Sequence, residues 1–257
     1  MATFCRCEID GARQYGALLG ERVEALSAAP WAGGQPTGAS YALGTVRLQV
    51  PCQPSKIICL GRNYQGHARE LGNPLPREPL IFLKPPSAVI GPAEPIIYPA
   101  LSQRVDYEGE LAMIIGRRSH RLDAQEDPLD SVFGYTCLND VTARDLQEAD
   151  GHFTRGKGLD SFCPLGPVVA TEVDPANLIV ETYVNGERRQ RGGTREMIFS
   201  LDAIIRFIAG VMTLEPGDVI ATGTPAGVGP LRVGDEVEVV VAGVGRLRNT
   251  VIAESGR

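Results

Sequence analysis

Short apolar runs that end at glycine or proline recur along the chain from residue 56 onward. They are rich in Ile and Val, a composition and length typical of β-strands. The clearest runs are KIICLG, LIFLKP, LAMIIG, LIVETYV, DVIATG and DEVEVVVAGVGRLRNTVI. No repeat with a fixed period of 20–50 residues accompanies them. The pattern therefore predicts a mainly β protein with a few helices.

Three segments predict helices instead. After Ser200, a candidate N-cap, apolar residues return every three or four positions. These residues are Leu201, Ile204, Ile205, Ile208 and Met212. TARDLQEADG predicts a shorter helix with Thr142 as its cap, and QGHARELG predicts a third short helix.

The first 50 residues have a different texture from the rest of the chain. They combine short alternating stretches with the Gly/Pro/Ser-rich segment AAPWAGGQPTGAS. Pro51 and Pro54 follow, and two prolines so close together favour an extended connector. We therefore predict a small N-terminal β-rich domain over residues 1–52 and a larger domain over residues 53–257.

Charge and hydropathy exclude some classes of partner. Lys and Arg total 25 and Asp and Glu total 31, so the formal net charge is 25 − 31 = −6. This mild acidity argues against a broad surface for nucleic acid or anionic membrane. No uncharged apolar run approaches the roughly 18–20 residues that a membrane span needs. We expect neither nucleic acid nor membrane as a partner.

The cysteines and the first residues indicate a reducing compartment. The chain has six cysteines but no CxxC pair, and no His lies at zinc-ligand spacing from them. The opening MATFCRCEID lacks the basic start and apolar core of a signal peptide. We therefore expect reduced, mostly buried thiols and a cytoplasmic protein.

Three carboxylates are candidates for a metal site. In DYEGELAMIIG, the alternation of a strand would place Glu108 and Glu110 on one face, beside the bare Gly109. Asp140 ends the apolar run FGYTCLND, at the mouth of a buried strand. An oxygen-only set suits Mg²⁺, Mn²⁺ or Ca²⁺ better than zinc. The alternative for the ExE pair is solvated charge at a strand end.

Histidine is scarce, which narrows the search for a general base. Of the three histidines, only His67 has a carboxylate three residues later, Glu70, on a predicted helical turn. Such a pair can polarise a water molecule. The alternative is an incidental contact on a surface helix. His120 and His152 lie in polar loops, and we assign them no role.

Two glycine-rich segments could approach an anionic ligand closely. Lys157 lies between glycines in TRGKGLD, where it either holds an anion or is an exposed loop lysine. The segment ATGTPAGVG lacks the ending of a P-loop, so nucleotide binding is not supported. Its backbone N–H groups and threonine hydroxyls could hold a carboxylate, or the segment could be a plain turn.

In combination, these segments resemble the fumarylacetoacetate hydrolase-like proteins. The resemblance spans residues 56 to about 250, and the occurrence of all these segments in this order is highly specific for the family. The matching stretches are GRNYQGHARELG, LIFLKP, DYEGELAMIIG, FGYTCLNDVTARDLQ, TRGKGLDSFCPLGP, NGERRQRGGTREMIF and MTLEPGDVIATGTPAGVGPL. It implies a mixed β-sandwich roll and a homodimer.

The resemblance also implies roles for particular residues. The metal ligands would be Glu108, Glu110 and Asp140; the catalytic residues would be His67, Glu70 and Lys157. The substrate contacts would be Arg62, Tyr64, Arg144, Gln147 and Thr224. Relatives often have Trp where Phe153 stands and Ala where Gly156 stands, so the pocket beside Lys157 departs from the family pattern.

The resemblance implies an enzyme that uses Mg²⁺ or Mn²⁺, with Ca²⁺ as a substitute, on a small anionic 2-oxo acid. The metal and Lys157 would stabilise an enolate. We expect isomerisation or decarboxylation of a hydroxymuconate- or hydroxyheptadienedioate-type diacid in aromatic catabolism. The alternatives are acylpyruvate hydrolysis, oxaloacetate decarboxylation or tautomerisation, and, from another class, a non-catalytic metal-dependent binding protein.

Overall fold

The structure is a computed structural model that describes residues 2–9, 11–70, 72 and 74–255. Its strands are β1 (Thr3–Ile9), β2 (Ala12–Leu19), β3 (Arg22–Leu26), β4 (Pro36–Ala42), β5 (Arg47–Leu48), β6 (Ile57–Gly61), β7 (Leu80–Lys84), β8 (Val89–Ile90), β9 (Ile96–Tyr98), β10 (Val105–Tyr107), β11 (Gly109–Ile115), β12 (Val132–Asn139), β13 (Thr142–Ala143), β14 (Cys163–Ala170), β15 (Ile179–Val184), β16 (Glu187–Gly193), β17 (Val219–Ala221), β18 (Gly229–Pro230), β19 (Glu236–Val241) and β20 (Gly245–Ala253). The helices are α1 (Gln65–Glu70), α2 (Arg144–Asp150), α3 (Thr154–Lys157) and α4 (Leu201–Val211). The prediction of a mainly β protein with a few helices is confirmed.

Three sheets organise these strands. The main path of the twelve-stranded sheet runs β4-β3-β2-β1-β14-β12-β11-β17-β6-β7, with β5 and β8 paired beside it. A five-stranded sheet has the order β16-β15-β19-β20-β9, and a three-stranded sheet has the order β13-β10-β18. Most neighbours are antiparallel, whereas β17 and β6 are parallel. Consecutive strands β10 and β11 belong to different sheets, and this change of sheet lies beside the candidate acids.

The large sheet is buried on both faces around β11. Leu111 and Met113 belong to an apolar cluster shared with the five-stranded sheet and α4. Ala112 and Ile114 point the other way and belong to a second apolar cluster with residues of β6 and β17. Burial on both faces explains why this segment reads as a continuous apolar run rather than as an alternating one.

The N-terminal strands continue the large sheet. Thr3 and Phe4 of β1 pair with Ala170 and Val169 of β14. The Phe4 ring also lies 5.3 Å from the ring of Phe133, measured between centroids. Main-chain pairing and aromatic packing therefore join residues 3–51 to the rest of the chain.

The predicted helices are present, with one correction. Helix α4 starts after Ser200, although the Ser200 side chain makes no capping hydrogen bond. It buries the predicted apolar stripe up to Ile208, whereas Met212 is the C-cap and is only partly buried. The prediction that Thr142 caps the next helix is wrong, because Thr142 lies in β13 and α2 starts after Ala143. The Thr142 hydroxyl donates instead to the carbonyl of Asp140, at 2.9 Å.

All six cysteines are free and buried, as the sequence predicts. Burial raises the pKa of the Cys137 thiol to about 12, so this thiol stays protonated near neutral pH. Within the described part of the chain, no helix has both the length and the apolar character needed to cross a membrane.

Candidate active site

Three buried carboxylates converge where β10, β11 and β12 end or begin. Glu108 lies between β10 and β11, Glu110 is the second residue of β11, and Asp140 directly follows β12. One carboxylate oxygen of each residue lies within 4.8 Å of those of the other two. None of the three residues is more than 5 % exposed. The acids singled out from the sequence therefore form one cluster.

The backbone around Gly109 brings these acids together. The N–H of Glu108 donates to Asn139 Oδ1 at 2.9 Å, and the N–H of Asp140 donates to the Glu108 carbonyl at 2.8 Å. A Cβ atom at Gly109 would lie only 2.0 Å from Thr182 Oγ1 of the facing sheet. Glu108 thus lies at a break between strands, not inside one strand as the period-2 argument assumed. Gly109 permits the close approach of β15.

Glu110 and Glu108 have opposite electrostatic environments. Burial and the charges of Asp140 and Glu108 raise the pKa of Glu110 well above its usual value. Burial acts in the same direction on Glu108, but the charges of Lys157 and Arg144 outweigh it and hold the pKa of Glu108 well below its usual value. A cation among crowded carboxylates would relieve the repulsion on Glu110. The oxygen-only donor set therefore fits a hard divalent cation.

Lys157 is the last residue of the short helix α3, not a residue of an open loop. Its Nζ atom donates to Glu108 Oε2 (2.9 Å), Asp140 Oδ2 (2.5 Å) and Thr142 Oγ1 (2.9 Å). The ammonium also lies 5.0 Å from the centroid of the Phe82 ring. Burial opposes its charge, but Asp140 and Glu108 raise its pKa above the usual value. Lys157 is therefore a buried positive charge beside the acids.

A second buried lysine, which sequence reasoning missed, contacts the same aspartate. Lys84 Nζ donates to Asp140 Oδ1 at 2.5 Å and to the Val141 carbonyl at 3.1 Å. A signal was available in LIFLKP, because the alternation of a strand puts Lys84 on the same face as Phe82. Each oxygen of Asp140 therefore accepts from a different lysine.

Arg144 pairs with the acids rather than lying free for a ligand. Its guanidinium donates to Asp106 Oδ2 at 3.0 Å, to Glu108 Oε1 at 2.6 Å and to Gln147 Oε1 at 2.9 Å. Asp106 and Glu108 thus balance much of its charge. Gln147 is held on the next turn of the same helix, α2.

Thr224 connects the glycine-rich segment after β17 to Gly109, the first residue of β11, by a hydrogen bond. Its hydroxyl donates to the Gly109 carbonyl at 2.8 Å and accepts from Gln190 Nε2 at 2.7 Å. Gln190 Oε1 in turn accepts from the Gly109 N–H at 3.0 Å. Gln190 was missed as well, since a glutamine in the polar strand ERRQRGG carries no signal that it is buried.

His67 and Glu70 lie together on α1, as the i, i+3 spacing predicts. His67 Nδ1 is 3.6 Å from Glu70 Oε2, beyond hydrogen-bond distance. Both Glu70 oxygens accept from the Gly227 N–H, at 3.1 and 3.0 Å. Burial lowers the pKa of His67 below its usual value, although the charge of Glu108 opposes the shift. His67 is therefore neutral near pH 7.

A small cavity of about 50 Å³ connects most of these groups. Seven of the residues predicted for the site line it, namely Arg62, His67, Glu108, Arg144, Gln147, Lys157 and Thr224. Tyr64 is not among the lining residues: it is buried, and its hydroxyl has no hydrogen-bond partner within the described residues. Glu70, Glu110 and Asp140 do not line this cavity, although Glu70 lies beside His67 and Asp140 accepts from Lys157, and both His67 and Lys157 do line it.

A larger cavity of about 330 Å³ adjoins the first. The two share Arg62, Arg144, Gln147 and Phe153, and the outer one also reaches His152, which sequence reasoning left without a role. The site thus has a narrow inner compartment beside the acids and a wider outer compartment.

Comparison with known families assigns both parts of the chain. Residues 56–252 match the family described as fumarylacetoacetate (FAA) hydrolase C-terminal. Residues 3–51 match a second family, described as Rv2993c-like, N-terminal. The first match covers all the site residues described above.

Individual relatives agree with this assignment. Oxaloacetate tautomerase YisK of Bacillus subtilis is 44 % identical over 226 residues, which is 82 % of this chain and 75 % of that protein. The crystal structure of 2-hydroxyhepta-2,4-diene-1,7-dioate isomerase from Mycobacterium marinum has a TM-score of 0.92 and 41 % identity, covering 100 % of both chains.

A third relative carries a metal. Maleylpyruvate hydrolase from Sphingobium sp. SYK-6, solved with manganese(II) and pyruvate, has a TM-score of 0.80 and 34 % identity, covering 99 % of this chain and 100 % of that one. In this chain, the acidic cluster of Glu108, Glu110 and Asp140 could bind a divalent metal. By its sequence, fold and relatives, the chain belongs to the fumarylacetoacetate hydrolase family of enzymes.

Proposed function

We propose that this enzyme uses a divalent cation to enolise 2-oxo dicarboxylic acids, and that it isomerises or decarboxylates a hydroxymuconate- or hydroxyheptadienedioate-type diacid. The observation that carries the proposal is the joint position of an acidic cluster and a charged Lys157 beside a two-compartment cavity. Enolisation needs positive charge near a carbonyl oxygen and a base near a carbon atom. The described residues can supply both.

Glu108, Glu110 and Asp140 would hold the cation, and we propose Mg²⁺ or Mn²⁺. Carboxylate oxygens suit both ions, and the Sphingobium hydrolase was solved with manganese. When bound, the cation supplies charge that attracts the 2-oxo acid and stabilises negative charge on its oxygen, a contribution of several kcal/mol.

Lys157 would stabilise the same negative charge from the protein side. Its ammonium lines the inner cavity, and the neighbouring Asp140 and Glu108 keep it protonated. A buried donor that is already oriented stabilises a developing oxyanion without reorganisation of solvent. Its neighbour Thr142 accepts one of its hydrogen bonds and limits its movement.

His67 would move the proton. Its Nδ1 atom faces Glu70, so Nε2 is the nitrogen left for the substrate. In isomerisation of a 2-hydroxy dienoate, the enol oxygen would lose its proton to His67 and a carbon of the diacid would gain one as the 2-oxo form appears, so no atom is lost. In decarboxylation, CO₂ leaves with cleavage of its bond to carbon, and the enolate takes up one proton.

Arg62 would bind the second carboxylate of the diacid. It lies between the two compartments, is half-buried and has a left-handed backbone with φ of 59°. Backbone strain in a residue other than glycine is often kept at ligand sites. Among the residues that the structure describes, its guanidinium has no hydrogen-bond or ion-pair partner. Arg144 also lines both compartments, but it already pairs with Asp106 and Glu108. Arg62 is therefore the cation that would select for a distal anion, against the repulsion of the exposed Glu148 in the outer compartment.

Keto–enol tautomerisation of oxaloacetate is a second candidate. The inner compartment, at about 50 Å³, favours a small acid, and the Bacillus subtilis relative is named an oxaloacetate tautomerase. Oxaloacetate would occupy the inner compartment without reaching far beyond Arg62. The two candidates share the same enolate and differ in the length of the acid.

The test is to incubate the enzyme plus Mg²⁺ or Mn²⁺ with oxaloacetate, acetylpyruvate and a 2-hydroxymuconate-type diacid, following enol absorbance and products. We expect the extended diacid to give the highest kcat/KM, and Arg62→Gln to lower it about tenfold, mainly through KM. Arg155→Gln is the matched control, because Arg155 pairs with Asp150 at the surface. Faster turnover of oxaloacetate, unaffected by Arg62→Gln, would favour tautomerisation.

Other products would point to the remaining alternatives. Pyruvate release from acetylpyruvate as the fastest reaction would identify a C–C bond hydrolase, like the Sphingobium relative named a maleylpyruvate hydrolase. Binding of the three acids with no turnover, despite bound Mn²⁺, would indicate a non-catalytic binding protein and would refute the proposal.

A further inference from the structure

We propose that Lys84 is a positioning residue of the cation site: it holds Asp140 Oδ1, so that Asp140 offers the cation Oδ2 alone. The inference rests on the cation site of the proposed function, but it concerns how that site is built. A ligand held at one oxygen has a fixed orientation, whereas a free carboxylate can rotate or chelate with both oxygens.

The contacts of Asp140 divide its two oxygens. Lys84 Nζ lies 2.5 Å from Oδ1 and 3.1 Å from the Val141 carbonyl. Lys157 Nζ lies 2.5 Å from Oδ2 and 2.9 Å from Glu108 Oε2, so Oδ2 is the oxygen on the side of Glu108. The oxygen on the side of Glu108, Asp140 Oδ2, is therefore the one that Lys84 does not contact.

Lys84 is placed to act through Asp140 and not on the substrate. It is 1 % exposed and lines neither the inner nor the outer compartment. Its backbone pairs with Ile57 at the end of β7, and Pro85 and Pro86 follow, which restrict the main chain. Lys157, in contrast, lines the inner compartment. The two lysines therefore have different tasks at one carboxylate.

The charge of Lys84 and its positioning role predict opposite effects of its removal. Loss of a positive charge beside an acidic cluster would strengthen cation binding by Coulomb's law alone. Loss of an outer contact that orients a ligand typically weakens binding by 10–100-fold. A weaker cation affinity after removal of Lys84 therefore identifies positioning and cannot arise from the change in charge.

The first experiment measures Mn²⁺ binding without substrate, by electron paramagnetic resonance titration of the full chain. We expect Lys84→Met to weaken Mn²⁺ binding about 10–100-fold. Lys56→Met is the matched control, because Lys56 forms a comparable ion pair with Asp218 away from the site, and we expect no change. Unchanged or tighter binding by folded Lys84→Met would overturn the inference, whereas wild type that binds no Mn²⁺ would refute the proposed function itself.

A double-mutant cycle separates positioning from general damage. In an Asp140→Asn background, we expect Lys84→Met to change Mn²⁺ affinity less than threefold, because its target is already altered. An equal loss in both backgrounds would show that Lys84 acts elsewhere and would overturn the inference.

The wild-type protein provides a test that does not depend on the folding of a variant. In its crystal structure with Mn²⁺, we expect Lys84 Nζ to remain on Asp140 Oδ1 and the ion to lie on Oδ2. Chelation of Mn²⁺ by both Asp140 oxygens, or a Lys84 turned away from Asp140, would overturn the inference.

Discussion

The two halves of the site are held in different ways. Glu108, Glu110 and Asp140 are buried where strands of the sheets end, and lysines and backbone N–H groups hold them on several sides. On the other side, fewer contacts join His67 and Glu70 to the rest of the residues that the structure describes. Glu70 is about one-third exposed in its side chain and accepts from one backbone N–H, that of Gly227.

We infer from this difference that the three acids bind the cation, whereas His67 and Glu70 transfer the proton. Buried charges on a sheet cannot shift without breaking several contacts, so the acidic half is preorganised for the charge of a cation and an enolate. A histidine on a six-residue helix can adjust to the substrate at lower cost. Variants of the acidic half should therefore change cation binding, and variants of the helix should change proton transfer alone.

Glu110→Gln should have the largest effect on activity. Loss of one cation ligand removes several kcal/mol of charge stabilisation, so we expect kcat/KM to fall about 10³-fold and Mn²⁺ binding to weaken. The cation-free protein should not lose stability, because burial and the charges of Asp140 and Glu108 already oppose ionisation of Glu110. Steady-state kinetics, Mn²⁺ titration and thermal unfolding test this. Glu215, which is partly exposed and pairs with Arg118, provides the control Glu215→Gln. Near wild-type kcat/KM in Glu110→Gln would contradict the proposed cation site.

Lys157→Met should separate chemistry from cation binding. We expect kcat to fall about 10²–10³-fold, because a donor to the developing oxyanion is lost. Mn²⁺ affinity should stay equal or rise, since the variant removes a positive charge from beside Glu108 and Asp140. Paired kinetics and Mn²⁺ titration decide the matter. Parallel losses of kcat and of affinity would mean that Lys157 supports the cluster rather than the reaction.

His67→Gln tests the other half. If His67 only moves protons, we expect kcat to fall about 10²-fold with Mn²⁺ affinity unchanged. Any hydrolysis of acetylpyruvate should be lost, whereas spontaneous enolisation at the cation site should persist in part. Product analysis by chromatography distinguishes the two reactions, with His120→Gln as the control because His120 is exposed and lines neither compartment. Weaker Mn²⁺ binding in His67→Gln would contradict the division between the halves.

The smallest expected effect concerns pH. Burial lowers the pKa of His67, so neutral His67 persists as pH falls, and the acidic limb of kcat/KM should lie below pH 6.5. The charge of Glu70 raises this pKa, so Glu70→Gln should move the limb to still lower pH. A partly exposed pair such as His67 and Glu70 contributes about 0.2–1 kcal/mol. The kcat of Glu70→Gln should therefore fall about fivefold or less. A pH–rate profile of wild type and Glu70→Gln measures both kcat and the acidic limb of kcat/KM. A limb that moves to higher pH in Glu70→Gln would contradict this role of Glu70.

The sequence predicted the elements whose burial pattern is local. Helix α4 follows from a repeat of three and four residues, and strands such as β6 and β19 follow from apolar runs. It did not predict that Thr142 enters a strand, because the competing contacts of its hydroxyl come from Asp140 and Lys157. Nor did it show that β1 joins β14, which lies about 160 residues away along the chain.

For the candidate site, the residues named from the sequence largely border one cavity, but their partners were unforeseen. The motif around His67 carries its own geometry, since i, i+3 neighbours meet on any helical turn. Gln190 carries no such information, and strand alternation gives only the face on which Lys84 lies, because the partners of both residues come from distant parts of the chain. For Tyr64, the substrate contact that the family resemblance implied stays a prediction, and the residue is not among those that line the cavity.

By itself, the sequence determined the fold class, the oxygen-only character of the candidate ligands and a single histidine suited to act as a base. These follow from residue type and short-range spacing, which the chain carries locally. Only the tertiary structure decided that Asp140 is shared by two lysines, that Arg144 is neutralised by Asp106 and Glu108, and that Arg62 is unpaired among the described residues. Such pairings set the charge available to a substrate, and they depend on distances between segments that no local pattern encodes.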